Sequence, residues 1–431
     1  MAESERIPVP HDAIKFLKDK LDVETDAWDD LKWGEHSHAF TVAHSVGAGV
    51  VDTIHGMLNR AMAEGQSFQA FKKGMWEMME DKGWHGGNGH TKEEKGYVNW
   101  RIKTIFHTNM RTAYEAGRYR QHLRGASLRP ILVYKSKLVG EHRREEHLAM
   151  HDLAFPYDDP FWDQNYPPNG WNCECTVVSK SVAGAERDGI KVLHSDANGN
   201  PPQVLKSDGT PVDWGKFAPS EWKYNPGRDA LAPNFRNYTD LGGHKMADGR
   251  SALSHVVERY RNDMEGAKLT NGEFDTLIRR INSKEYTPSK NNPITYQVGN
   301  LETRCQRAMM DIGIQDSKIM ATDWRLWHSI ADKVDGNPSR RTGEATPDLK
   351  IPPDQQKLIY QILQSPERIV EQKKDNRSAQ GRVFLFLKDT QDGKVIKITL
   401  EQRNAGTALQ VSTMGKAIDT FRGERYEEIK W

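Results

Sequence analysis

The sequence has few cysteines and no long apolar run. Only three cysteines occur in 431 residues, too few for a disulfide framework in a chain of this length. No apolar segment approaches the roughly 18 residues that a membrane span requires. The N-terminal MAESERIPVP also lacks the basic and apolar regions of a signal peptide. We therefore expect a cytoplasmic protein without a membrane partner.

Net charge is also nearly absent. The chain carries 61 Lys and Arg against 60 Asp and Glu, a formal charge of +1, so contact with nucleic acid requires a local cluster of charge. Charged residues make up 28% and hydrophobic residues only 36%. This composition favours an elongated or partner-dependent protein over one round core. The length predicts about two to four domains.

Motifs of several enzyme classes are missing. The chain has no Walker A loop, no Gly-x-Gly-x-x-Gly that opens a helix after a strand, and no Gly-x-Ser-x-Gly. A zincin needs Glu directly after its first histidine, whereas Leu148 follows His147. The deaminase signatures are absent as well. Nucleotide hydrolysis, dinucleotide redox chemistry, α/β-hydrolase chemistry, zincin proteolysis and deamination are therefore not supported.

The pattern of apolar and turn residues predicts an α+β protein with four regions. Residues 1–125 show helical spacing, in DAIKFLKDKL, in HSVGAGVVDTIHGMLNRAMAEG, in QSFQAFKKGMWEMMEDKGW and from Tyr97 to Arg124. Gly65 and Gly83 are predicted helix ends and Ser67 a helix start. A small α+β unit follows at 126–195, with strands ILVYK and CTVVS.

The second half of the chain begins with a predicted connector. Glycine, proline and asparagine recur through 196–250, which is typical of an extended, poorly packed segment. Residues 251–431 are predicted to form helices followed by an antiparallel sheet of GRVFLFLKD, VIKITLE and ALQVSTM. Asp392-Gly393 favours a two-residue hairpin turn between the first two strands.

Four side chains form a candidate metal site. His147 and His151 are four apart, which stacks them on one face of a helix, and Cys173 and Cys175 point the same way along a strand. Two imidazoles and two thiolates make a complete tetrahedral zinc set, which would be structural because no position stays open for water. His142 is a further candidate ligand. The alternative is that both cysteines are reduced apolar residues and both histidines ordinary polar ones.

The predicted helix from Tyr97 to Arg124 carries a cluster of arginines. Tyr114 and Tyr119 lie among these arginines, and such a pattern can contact DNA phosphates or an acidic protein face. The alternative is a solvated helix face. The candidate contact residues are Arg111, Arg118, Arg120 and Arg124.

The segments TIFHTNMRTAYEAGRYRQ, RREEHLAMHD, DDPFWDQNYPPNGWNCECTVVS and EWKYNPGR occur in this order. Together they resemble the phage Mu F-like head morphogenesis family of minor capsid proteins. The family's Arg-x-x-His element falls on Arg144 and His147, and its Cys-x-Cys element on Cys173 and Cys175. An arginine is common in the family where this chain has Glu174. The resemblance covers roughly residues 20–230.

The resemblance implies a minor head protein of a tailed bacteriophage or prophage, present in few copies near the portal. It would act in the host cytoplasm during assembly and in the virion head. The implied partners are the portal protein and the major capsid or scaffold proteins. Part of the surface of such a protein is buried only in the particle, which fits the low apolar content.

Residues from about 285 onward, with NPITYQVGN and IMATDWRLWHSIADKV, are similar to phage-associated relatives of barnase, EndoU, colicin E5 and RelE nucleases. This resemblance implies an alternative function, a delivered effector that cuts RNA without a metal. The candidate proton carrier is His328, and the candidate phosphate contacts are Lys397, Arg403 and Thr413. The alternative for these side chains is an ordinary position on a helix or a strand edge.

Overall fold

The computed structural model describes most of the chain. The described residues are 10–138, 144–196, 199–283, 288–331, 350–373, 381–402, 404, 407–422 and 424–431. The chain divides into two compact units, Met1–Glu258 and Arg259–Trp431, and the division falls inside the helix Ala252–Met264. Within the described ranges, no helix is long and apolar enough to cross a membrane.

The first unit is mainly helical before residue 126, where β1 and β2 form a short parallel pair, and mixed after it. Its strands are β1 Leu21–Asp22, β2 Ala39–Phe40, β3 Ile131–Lys135, β4 Ala154–Pro156 and β5 Thr176–Lys180. Short 3-10 helices lie at Trp33–Ser37, Ser220–Trp222 and Phe235–Asn237. The α-helices are α1 His11–Lys18, α2 Val51–Glu64, α3 Phe68–Lys82, α4 Lys95–Gly125, α5 Glu145–Ala149, α6 Phe161–Asn165, α7 Val182–Arg187, α8 Trp214–Phe217, α9 Pro226–Leu231, α10 Thr239–Gly243 and α11 Ala252–Met264.

The predicted ends of α2 and α3 are confirmed. Gly65 ends α2 and Gly83 ends α3, both with a left-handed backbone (φ 67° and 65°) that favours glycine. The Ser67 hydroxyl caps α3 by accepting from the backbone N–H of Ala70 at 3.3 Å.

The long helix α4 forms the centre of the first unit. Ile102, Phe106 and Ala113 are buried in one core with apolar residues of α1, α2 and α3. At Gly117 the backbones of α4 and α1 approach so closely that a Cβ atom would lie 2.7 Å from the backbone nitrogen of Ala13. A side chain at this position would therefore push α1 away.

A three-stranded antiparallel sheet follows α4, in the order β4-β3-β5. Both strands predicted for this region are confirmed as β3 and β5. Helix α4 packs on β5, where an imidazole nitrogen of His122 lies 3.2 Å from the carbonyl oxygen of Val177. The sheet is thereby fixed to the helical part of the unit.

The range 196–250, predicted as an extended connector, is packed into the first unit. It contains α8, α9, α10 and two 3-10 helices. Phe217, Trp222, Leu231 and Leu241 are buried. The prediction was wrong about packing because glycine and proline here form turns between short buried helices.

The second unit combines helices with a seven-stranded sheet in the order β12-β8-β9-β10-β11-β7-β6. Its strands are β6 Thr295–Asn300, β7 Lys318–Thr322, β8 Arg368–Gln372, β9 Arg382–Asp389, β10 Lys394–Gln402, β11 Leu409–Ile418 and β12 Tyr426–Ile429. Its helices are α12 Asn271–Asn282, α13 Thr303–Asp311, α14 Asp323–Ile330, α15 Pro353–Gln356 and α16 Leu358–Gln364.

The predicted antiparallel order of β9, β10 and β11 is confirmed. The turn between β9 and β10 is longer than predicted. Thr390 pairs with Lys394 through a backbone hydrogen bond of 2.8 Å, so three residues, 391–393, separate them. Gly393 has a left-handed backbone (φ 71°), as the third residue of a three-residue hairpin loop usually does. The prediction of a two-residue turn is therefore wrong.

A buried carboxyl group lies between α4 and β5. Glu115 of α4 accepts a hydrogen bond of 2.7 Å from the Thr176 hydroxyl. Its other oxygen, Oε2, is buried and has no hydrogen-bond partner among the described residues. Burial is the main reason that the pKa of Glu115 rises from 4.5 to about 7. Between about pH 4.5 and pH 7, Glu115 is therefore protonated in the folded protein and ionised in the unfolded chain.

The variant Glu115→Gln should remove this pH dependence. The pKa is raised on folding, so stability is lost as pH rises from 4.5 through about 7. We expect the variant to be more stable than the parent by about 3 kcal/mol at about pH 8, with no gain at about pH 4. Urea unfolding followed by circular dichroism measures both values. The exposed control Glu186→Gln should show no such difference, and an equal gain at both pH values would contradict the prediction.

Candidate metal centre

Two short segments bring one imidazole and two thiols together beside the three-stranded sheet. His147 lies on α5, and Cys173 and Cys175 lie in the turn that leads into β5. Arg144, directly before α5, joins the two segments because its guanidinium donates from Nη2 to the carbonyl oxygen of Trp171 at 2.8 Å. The Arg-x-x-His and Cys-x-Cys elements are thus parts of one structure.

The three side chains form a compact, buried cluster. Nδ1 of His147 lies 3.3 Å from Sγ of Cys175 and 3.8 Å from Sγ of Cys173. All three atoms lie within 4.8 Å of one another. Donor atoms around a tetrahedral zinc ion are about 3.5–3.8 Å apart, as follows from the usual bond lengths. The cluster therefore has the size of a metal site.

The orientation of the His147 ring is fixed from its other nitrogen. Nε2 lies 2.8 Å from the carbonyl oxygen of Phe217, and a carbonyl can only accept, so Nε2 carries the proton. The lone pair is then on Nδ1, which faces the two sulfurs. A second partner that sets the tautomer of a histidine ligand is typical of metal sites in proteins.

The two thiols differ in acidity. A hydrogen bond from the Cys173 thiol holds the pKa of Cys175 well below its usual range, and the same bond, together with burial, raises the pKa of Cys173. One thiolate is therefore present at neutral pH, and the thiolate is the form that binds metals. Burial raises the pKa of the nearby Tyr134, whose hydroxyl donates to Oδ1 of Asn169 at 3.2 Å.

His151, the fourth predicted ligand, does not join the cluster. The prediction assumed one helix through His147 and His151, but α5 ends at Ala149. Nδ1 of His151 instead accepts a hydrogen bond from the backbone N–H of Ser136 at 3.1 Å. His142 lies outside the described residues. Among the described residues, the cluster thus consists of one histidine and two cysteines.

The predicted arginine cluster makes ion pairs within the chain. Arg124 binds both carboxylate oxygens of Asp12, at 2.7 and 2.9 Å. Arg111 lies 3.8 Å from a carboxylate oxygen of Glu174, and Arg118 lies 3.8 Å from one of Glu115. Arg120 lies on the same helix and is half-buried. The contact with DNA or a partner therefore stays a prediction, since several of these charges already have acidic neighbours.

The candidate catalytic residues occupy two places in the second unit. Lys397 and Thr413 lie on one face of the sheet, because Lys397 pairs with Gly415 and Thr399 pairs with Thr413. His328 is exposed on α14 and stacks on the Trp324 ring at 5.0 Å between centroids. Arg403 lies outside the described residues.

Helix α14 follows the edge of β11. The Ser329 hydroxyl accepts from the backbone N–H of Met414 at 3.2 Å, and Arg325 donates to the carbonyl oxygen of Ser412 at 3.4 Å. These bonds occupy backbone groups of β11 beyond its short parallel pairing with β7. Helix α14 thus has a structural role along the part of β11 that is not paired with β7.

Sequence reasoning missed two parts of the metal centre. No sequence motif indicates the carbonyl group of Phe217, because every residue has a backbone carbonyl. Arg144 was noted only as part of a family element, although it joins the two halves of the cluster.

The buried Glu115 could have been found, because it lies three and four residues from the buried Thr112 and Tyr119 on one helix face.

The chain has relatives among known proteins. Residues 52–178, which include the three cluster residues, match the family described as phage Mu protein F like protein. The chain is 33% identical over 323 residues to the putative capsid assembly protein F of Escherichia phage Mu, which covers 70% of this chain and 71% of that protein.

A second relative is the Mu-like prophage FluMu F protein of Haemophilus influenzae, 35% identical over 175 residues, 39% of this chain and 41% of that protein. No solved structure gives a significant match. Because the identity to the Mu protein extends over most of both chains, the resemblance carried by the motifs is confirmed, and the chain belongs to the phage Mu protein F like family.

Proposed function

We propose that this protein acts in building the head of a Mu-like tailed bacteriophage or prophage. The observation that carries the proposal is the 33% identity, over 323 residues, to a protein named putative capsid assembly protein F. We further propose that it is a minor component near the portal, with portal, capsid or scaffold proteins as partners. Exposed aromatic side chains such as Trp28, Trp100 and Trp171 support this, because interfaces are enriched in tryptophan.

Deletion of the gene in a phage-producing host should test the proposal. We expect the yield of DNA-filled heads to fall strongly and to return when the gene is supplied on a plasmid. Quantitative mass spectrometry of the complemented particles should detect this chain in far fewer copies than the main shell protein. A normal yield of filled heads from the deletion strain would contradict the proposal.

We also propose that His147, Cys173 and Cys175 bind a zinc ion. Thiolate and imidazole are the ligands zinc prefers in proteins, and the donor spacing supports this metal. The described residues supply three ligands, so water or a residue outside the described ranges would complete a tetrahedron. When bound, the ion would join α5 to the turn before β5.

Metal analysis of the purified protein tests the zinc proposal. We expect about one zinc ion per chain in the parent and none in the double variant Cys173→Ser/Cys175→Ser, since serine does not replace a thiolate ligand. Loss of the ion should lower the melting temperature by about 10 °C. The variant Cys305→Ser is the matched control, because Cys305 is also buried but lies in the second unit. Parent protein without stoichiometric zinc would overturn the proposal.

The rival function, a delivered effector with an RNA-cleaving C-terminal domain, depends on His328, Lys397, Arg403 and Thr413. The His328 ring stacks on Trp324, and the Lys397 ammonium group lies 5.4 Å from the centre of the Phe421 ring. These contacts support structural positions for both side chains. Head assembly is accordingly the function that we propose for the whole chain.

A further inference from the structure

A cavity of about 380 Å³ opens in the first unit, apart from the metal centre. Its volume lies in the range of small-ligand sites, about 300–1,000 Å³. It is bounded by residues 20–41, by α4, by Trp171 and by the segment around Trp222. Four parts of the chain that are distant in sequence therefore build one pocket.

One side of this cavity is aromatic. The rings of Trp28 and Trp171 meet edge to face at 6.4 Å, and those of Trp171 and Trp222 at 5.2 Å. Trp28 is 53% exposed and Trp171 is 41% exposed, high values for indole side chains. The buried Leu31 and Tyr224 continue the apolar lining. This side can hold an aromatic or aliphatic group.

The cavity also holds a buried cation. Lys20 is only 6% exposed and lines the cavity, and its ammonium group lies 4.7 Å from the centre of the Phe16 ring. Within the described residues, this ammonium group has no carboxylate within 4 Å and no hydrogen-bond acceptor. Burial lowers the pKa of Lys20 from 10.5 to about 7. A buried ammonium group without an anion is costly, and a carboxylate that enters the cavity would remove this cost.

The other polar groups of the cavity leave this charge uncompensated. Nε2 of His36 donates to the carbonyl oxygen of Leu31 at 2.9 Å, and burial and Lys20 lower the pKa of His36 to about 4, so its ring is neutral. Asp29 is exposed and Glu221 is half-buried, and neither forms an ion pair with Lys20.

Thr108 of α4 also lines the cavity, although its Oγ1 atom is itself buried from solvent.

We propose that this cavity binds an acidic peptide segment of a partner protein, with a carboxylate directed to Lys20 and an adjacent aromatic side chain against Trp28 and Trp171. The cavity contains none of the three proposed zinc ligands, although Trp171 lies two residues before Cys173, and this binding would be a further activity beyond head assembly. The contact between the carboxylate and Lys20 would fix the orientation of the bound segment. The contact with the tryptophan rings would bury apolar surface.

Two matched peptides test the proposal with the full-length protein. The probes are acetyl-Phe-Asp-Phe-amide and its neutral counterpart acetyl-Phe-Asn-Phe-amide, titrated by calorimetry and by tryptophan fluorescence. We expect the Asp peptide to bind about tenfold or more tightly than the Asn peptide, because a charge-assisted hydrogen bond is lost in the second. Equal affinities, or no binding of either peptide, would overturn the proposal.

Variants assign the effect to named side chains. Lys20→Met keeps an unbranched apolar stem and should make the two affinities equal. The control Lys18→Met removes a charge from the exposed side of α1 and should leave the tenfold preference unchanged. Trp28→Ala should weaken both peptides to the same extent, since it removes only apolar contact. A Lys20→Met protein that still prefers the Asp peptide tenfold would show that the carboxylate binds elsewhere.

Discussion

Helix α4 packs on α1 so closely at Gly117 that no side chain fits between the two backbones, and the first unit is assembled around this contact. The same helix also packs against α2, α3, α9 and β5. Its contact with β5 fixes the strand that follows Cys175, and Thr108 of α4 lines the cavity that contains Lys20. The metal centre and the cavity therefore both depend on where this single helix lies.

Features that depend on neighbouring residues were predictable. Gly65, Ser67 and Gly83 mark helix ends because capping involves only the last turn and the residues beside it. The cluster of His147, Cys173 and Cys175 could be found from ligand chemistry alone. His151 could not be placed correctly, because the four-residue spacing aligns side chains only inside a helix, and nothing in the sequence showed that α5 would end at Ala149.

Features that depend on distant residues were not predictable in the same way. The turn-rich range 196–250 contains buried side chains such as Phe217 and Trp222, and their burial depends on surfaces formed by earlier parts of the chain. Lys20 gave no such signal, because α1 ends at Lys18 and the spacing from Ala13 and Phe16 therefore does not place it on that helix face. The sequence could not show that Trp171 and Trp222 would complete a cavity around this cation, because that requires the tertiary fold.

The hydrogen bond from His147 to the carbonyl oxygen of Phe217 has a consequence for the order of biosynthesis. A ribosome makes His147, Cys173 and Cys175 well before Phe217, which follows Cys175 by 42 residues. During that interval the imidazole has no carbonyl to select its tautomer, and either ring nitrogen can carry the proton. The hydrogen bond that holds the ring in one tautomer can therefore form only after Phe217 has been made, late in the synthesis of the first unit.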